Sequence, residues 1–112
     1  MRTILDDTLM QKLPLFALTF VDNHDTQPLQ ALESVVESWF KPLAYALILL
    51  RREGYPSIFY PDYYGAHYKD KGRDGKEYKF WLDSHKNILN QLLFARKNFA
   101  YGAHYDYFDH PD

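Results

Sequence analysis

The chain has no cysteine, which removes disulfides and thiolate metal sites from consideration. It also lacks a long apolar run. The longest, Leu43-Ala44-Tyr45-Ala46-Leu47-Ile48-Leu49-Leu50, falls far short of the ~20 residues that span a bilayer. The opening Met1-Arg2-Thr3-Ile4-Leu5-Asp6-Asp7 carries no apolar segment of a secretion signal. A chain without membrane contact, cytoplasmic as it stands, is therefore expected. There is no excess of positive charge either: the formal net charge is −2, which gives no electrostatic case for nucleic acid or an anionic surface. No internal repeat and no low-complexity segment interrupts the sequence.

What is present is apolar and aromatic. Hydrophobic residues make up 46% and aromatic residues 18% of 112 positions, a composition that folds rather than staying disordered, within one small domain at most. The run Leu15-Phe16-Ala17-Leu18-Thr19-Phe20-Val21 feeds directly into Asp22-Asn23-His24-Asp25-Thr26. Polar chemistry at the carboxyl end of a buried strand is the arrangement of α/β enzymes. Taken alone, the same residues also suit a turn or a helix start, because Asp and Thr cap helices.

Along the chain, residues 2–12 hold a weak amphipathic pattern that Pro14 stops. Residues 15–21, apolar on both faces, predict a strand covered on both sides. From Pro28, the residues Leu32, Val35, Val36, Trp39, Leu43, Leu47 and Leu50 recur at helical steps. Glu33, Glu37 and Lys41 fall on the opposite, solvent face at favourable spacing. Pro42 predicts a kink or two successive helices, and Gly54 a stop. Ser57 to Tyr60 reads as a second short strand. Residues 66–79 read as an exposed loop whose charges nearly cancel. Asp83 or Ser84 can cap a last helix running to Phe99, with His85 half-buried beside its apolar stripe.

Strand, helix, strand, helix with connections this long predicts an α/β fold with parallel strands. Two parallel strands leave both edges open, and residues 43–50 need more cover than one other helix provides.

Phe20-Val21-Asp22-Asn23-His24-Asp25 resembles the fourth conserved region of α-amylases, glycoside hydrolases of family 13 with a (β/α)₈ barrel. Trp39-Phe40-Lys41-Pro42-Leu43-Ala44-Tyr45-Ala46, Gly54-Tyr55-Pro56, Phe59-Tyr60, Ala95-Arg96-Lys97 and Ala100-Tyr101-Gly102 resemble the liquefying bacterial branch. Asp106-Tyr107-Phe108-Asp109-His110 resembles the passage into the family's C-terminal β-domain. The resemblance implies a partial TIM barrel: its last two βα units, strands 7 and 8 with their helices, over residues 1–100. Residues 101–112 would begin the next domain. It further implies endo-hydrolysis of α-1,4 bonds in starch-like glucans, with Asp25 as the transition-state stabiliser and His24 binding the sugar beside it. The nucleophile and proton donor of the family come from strands 4 and 5, which precede this stretch, so the chain alone is expected to be inactive.

Other readings stay open. The chain could be a non-catalytic carbohydrate-binding module, or a remnant that self-associates or pairs with the missing barrel part. Asp62 could face Asp25 as a makeshift carboxylate pair, or be a turn residue. Pro61, where the family usually has glycine, could distort the sugar-side turn. His104, Asp106, Asp109 and His110 invite a metal reading. The resemblance implies calcium for the intact family, with an aspartate at the place of Asp106 and partners outside this chain. No metal site and no cofactor are expected in this chain by itself.

Overall fold

A computed structural model describes residues 4–105 of the chain. After a short helix α1 (Leu9–Lys12) and a 3₁₀ turn (Pro14–Phe16) come β1 (Leu18–Phe20), α2 (Lys41–Leu50), β2 (Tyr55–Ser57) and α3 (Tyr60–Tyr64). An antiparallel pair, β3 (Ala66–Lys71) and β4 (Glu77–Leu82), precedes α4 (Lys86–Asn98).

The expected parallel pair forms. β1 and β2 align as Leu18 with Tyr55, Thr19 with Pro56 and Phe20 with Ser57, so the second strand begins two residues earlier than its apolar run suggested. Gly54 makes this approach possible. Its φ is +79°, and a Cβ there would meet Thr19 Cγ2 at 2.8 Å and the Ala17 carbonyl at 3.2 Å. Only glycine takes that backbone region and that closeness without strain. The strand is not covered on both faces as expected. Ala17 and Thr19 are buried, while Leu18 and Phe20 are exposed, because a two-stranded sheet finds cover on one side only.

Of the helical pattern expected from Pro28, with a kink or a second helix at Pro42, only the part from Lys41 onward is helical, and the first part is a second correction. Residues 25–34 instead fold back on themselves, Leu32 N donating to the Asp25 carbonyl (3.2 Å) and Ser34 N to the Thr26 carbonyl (3.0 Å). Helix α2 starts at Lys41, with Pro42 in its first turn, where a missing N–H costs nothing. Mid-helix, the same proline would have left the Ser38 carbonyl unpaired, and Ser34, Val35 and Val36 are poor helix formers that do not offset this. As a result Leu32, Val35 and Trp39, placed on the buried face by their spacing, lie exposed.

A third correction concerns residues 66–79. They are not a loop but most of a hairpin in register from Ala66–Leu82 to Lys71–Glu77. Alternation in Tyr68, Asp70, Tyr78 and Phe80 was the available signal, masked by the charged residues of the other face. Tyr68 OH donates to the Pro28 carbonyl (3.0 Å) and Gln30 Nε2 to Asp70 (3.0 Å), which ties the hairpin to the loop following β1.

The core is small. Tyr45, Ile48 and Leu49 of α2 pack with Leu89 of α4, and Val21, Ile58, Tyr63 and Leu92 close around them. Arg96 of α4 donates to the Leu49 and Arg51 carbonyls at 2.6 and 3.2 Å, satisfying the C-terminal end of α2. The Cα radius of gyration is 16.0 Å, against roughly 13 Å for a compact chain of this length. Leu15, Phe16, Leu18 and Leu43 face solvent, and an open apolar groove of about 530 Å³ runs along Phe20, Val21, Val36, Trp39, Phe40 and Leu47. Among the described residues no helix is long and apolar enough to cross a membrane.

Candidate functional site

The heptapeptide Phe20–Thr26 divides its labour. Asn23 Oδ1 accepts from the backbone N–H groups of Asp25 (2.9 Å) and Thr26 (3.0 Å), and Thr26 Oγ1 accepts from Asn23 N (3.1 Å). These reciprocal bonds build a tight turn at the carboxyl end of β1. Asp22 faces inward, 3% exposed, and takes the Thr26 hydroxyl. That leaves His24 and Asp25, whose side chains are 82% and 51% exposed and touch each other, Nε2 to Oδ1, at 3.3 Å. The turn reading thus holds for Asp22, Asn23 and Thr26, while the His24 and Asp25 side chains take no part in the turn's own bonds.

Beneath the turn lies a buried polar network. Lys41, at the start of α2, reaches Asp22 Oδ2 at 3.1 Å and also bonds Asp62 Oδ1. Tyr45 OH donates to the other oxygen of Asp62 (2.6 Å) and accepts from Phe59 N (3.2 Å). One ammonium thus joins the end of β1 to the start of α3. Burial alone would lower the Lys41 ammonium, but the bonds and charges of Asp62, then Asp22, outweigh it and hold its pKa above the ordinary value. The Tyr45 phenol is pushed well up, first by burial and then by its bond to Asp62.

This overturns two expectations. Lys41 is not on a solvent face but 6% exposed, because α2 begins there instead of running through from residue 30. Asp62 is neither a turn residue nor a partner for Asp25. It is 1% exposed, and both its oxygens are occupied by Lys41 and Tyr45. The network could have been sought from sequence, since Lys41 sits alone among Trp39, Phe40, Pro42 and Leu43, surroundings that demand an anion. Pro61, for its part, stands in the first turn of α3, where it fits without distortion. Helix α4 begins at Lys86 with His85 in the capping position. Ser84 Oγ does accept from Lys86 N (3.3 Å), whereas Asp83 is taken by Ser38 Oγ (2.8 Å). His85 is half-buried, its Nε2 3.4 Å from Ser38 Oγ.

Of the residues considered for a metal, Asp106, Asp109 and His110 lie outside the described residues, and His104 is exposed. Among the described residues no group of three or more His, Cys, Asp or Glu side chains is placed to hold a metal ion.

The β1–α2–β2 unit is an α/β arrangement with a parallel strand pair, its His24–Asp25 turn following the first strand, and sequence comparison supplies the family: over its whole length the chain is similar to a part of α-amylases. It is 55% identical over 112 residues to the cytoplasmic alpha-amylase of Escherichia coli (strain K12), covering all of this chain and 22% of that protein. It is 54% identical over the same span to an alpha-amylase of Bacillus licheniformis, of which it covers 20%. With a glucan 1,4-alpha-maltohexaosidase of Bacillus sp. (strain 707) the identity is 48% over 110 residues, 98% of this chain and 19% of that protein. The chain thus spans about a fifth of the length of the curated relatives it matches. No family model matches it.

Proposed function

We infer that this chain is the part of an α-amylase that brings one carboxylate and one imidazole to the sugar at the bond being cleaved. The observation that carries this reading is the geometry of the His24–Asp25 turn. Asp22, Asn23 and Thr26 hold the backbone, and the two remaining side chains are presented at the carboxyl end of a parallel strand. Glycosidic cleavage passes through an oxocarbenium-like state, and contacts to the sugar hydroxyls that tighten as the ring distorts lower its barrier. Asp25, as a carboxylate, accepts from such hydroxyls, and His24 donates beside it. The 3.3 Å contact between them orients the imidazole.

The substrate on this reading is an α-1,4-glucan. Attack and proton donation in a retaining glycosidase need two carboxyl groups about 5–5.5 Å apart. Asp62 is unavailable for that work because it is buried and already bonded twice, so both groups come from outside this stretch. The open edges of β1 and β2, the apolar groove beside them and the exposed Leu15, Phe16 and Leu18 support a place next to further βα units. On this reading β1 and β2 are strands 7 and 8 of a (β/α)₈ barrel, residues 1–100 are its last part, and residues 101–112 begin the β-domain, where Asp106 would contribute to a calcium site.

The test is exchange. Residues 1–112 are put in place of the 55% identical stretch of the E. coli enzyme, and release of reducing ends from soluble starch is measured. The exchanged enzyme is expected to hydrolyse starch while the chain alone releases nothing. Hydrolysis by the pure chain, lost in Asp25→Asn, would overturn the division of the site.

A further inference from the structure

The β3–β4 hairpin has two unlike faces. Tyr68, Asp70, Tyr78 and Phe80 share one, and it turns toward the body of the molecule through the Tyr68–Pro28 and Asp70–Gln30 bonds. On the other face the opposed pairs are His67 with Trp81, Lys69 with Lys79 and Lys71 with Glu77. Here the rings of His67 and Trp81 stack with centroids 3.8 Å apart and planes inclined by 16°. Trp81 is nevertheless 75% exposed: one side of the indole rests on His67 and the rest is open. Around the stack are charged groups, among them Lys69, paired with Glu77 at 3.6 Å, and Lys79.

A tryptophan in this position is held in a fixed orientation but contributes little to any core. The arrangement is an apolar plate with a polar rim. A pyranose ring has the complementary form, with C–H groups on its face and hydroxyls around its edge. The opposed Lys69 and Lys79 supply ammonium donors next to the stack, and an acceptor, Glu77, lies one further pair along the same face, held by Lys69, which suits hydroxyls that both donate and accept. Lys69, Lys71 and Lys79 outnumber Glu77 on this face, so a polyanion would be drawn here by charge alone and would need no indole, and an apolar protein surface would have to desolvate the lysines without pairing them.

We propose that the His67–Trp81 stack is a second α-glucan contact, separate from the His24–Asp25 turn, in which a glucose unit lies on the open indole face. This rests on the α-glucan reading above for the identity of the sugar. The hairpin's tie to Pro28 and Gln30 attaches this platform to the same loop that carries His24 and Asp25.

The test is titration of the full chain with maltoheptaose, followed by the indole N–H resonances of Trp39 and Trp81. Trp39 is also exposed, at 73%, but lies off the hairpin, and so serves as the internal control. Saturable movement of the Trp81 resonance with Trp39 unmoved is expected. Trp81→Ala should weaken binding by about tenfold or more, the effect of one contact of about 1.4 kcal/mol, while Trp39→Ala leaves it unchanged. Should Trp81→Ala lose its fold, the resonance assignment in the parent chain and partial retention in Trp81→Phe decide the matter. No binding of maltoheptaose, equal affinity in Trp81→Ala, or binding of dextran sulfate alone that vanishes with salt would each overturn the proposal. None of these results alters whether the exchanged enzyme cleaves starch, so the platform and the cleavage-site reading fail separately.

Discussion

The Lys41 ammonium and the Asp62 carboxylate form an ion pair whose side chains are 8% and 1% exposed. The pair joins the first turn of α2 to the first turn of α3. Through the second contact of Lys41, to Asp22, it also fixes the residue on which the His24–Asp25 turn is built. An isolated buried charge would be strongly unfavourable, so each member of this network is needed by the others.

Lys41→Met therefore leaves Asp22 and Asp62 buried without a counter-charge. The expected cost is about 3–5 kcal/mol, a large share of what a domain of this size has to lose. Guanidinium unfolding followed by tryptophan fluorescence measures it. A midpoint unchanged from the parent would contradict the placement of Lys41.

The same network sets an alkaline limit. Lys41 and Tyr45 both have folded-state pKa values raised above their ordinary ones. A raised folded pKa means the stabilisation is complete below the unfolded value and is lost as pH rises through the folded one. Stability should thus hold through neutral pH and fall above about pH 10. Thermal melts of the parent and Tyr45→Phe between pH 8 and 11 test this. The parent should decline more steeply than the variant, which has no phenol to ionise.

How much of this was legible in the residues depends on whether the signal was local. The His-Asp turn, the parallel pair and the last helix could be read because each is written in consecutive residues. The apolar spacing of Leu32, Val35 and Trp39 matches a helix that does not form, because Pro42 fits the first turn of α2 and not the middle of a longer helix. The hairpin is hidden in the sequence because its outer face, with Lys69, Lys71 and Lys79, has the composition of a solvated loop. Lys41, Tyr45 and Asp62 come together only through the fold, 17 and 21 residues apart in sequence, and spacing says nothing of such meetings.

Gly54 offers a test of the strand pairing. Gly54→Ala adds a Cβ at positive φ against Thr19 and the Ala17 carbonyl, with an expected cost above about 1 kcal/mol. Tyr55 N donates to that same carbonyl at 2.8 Å. Hydrogen exchange at the Tyr55 amide should accelerate in the variant, more than at Leu89 in the core. Equal protection in both proteins would argue against the observed register.

On the proposed function, Asp22, Asn23 and Thr26 hold the backbone of one heptapeptide while Asp25 serves the chemistry. The most direct measurement takes the enzyme exchanged over residues 1–112 and determines Tm and kcat on soluble starch for Asp25→Asn and Asn23→Ala. Asp25→Asn is expected to leave Tm within about a degree, since its carboxylate is half exposed and surface changes cost little. Its kcat should fall by roughly 100-fold or more, as when a transition-state contact is removed. Asn23→Ala should instead lower Tm, losing about 1 kcal/mol of capping. An Asp25→Asn enzyme that keeps its kcat, or loses it only in step with Tm, would contradict the account.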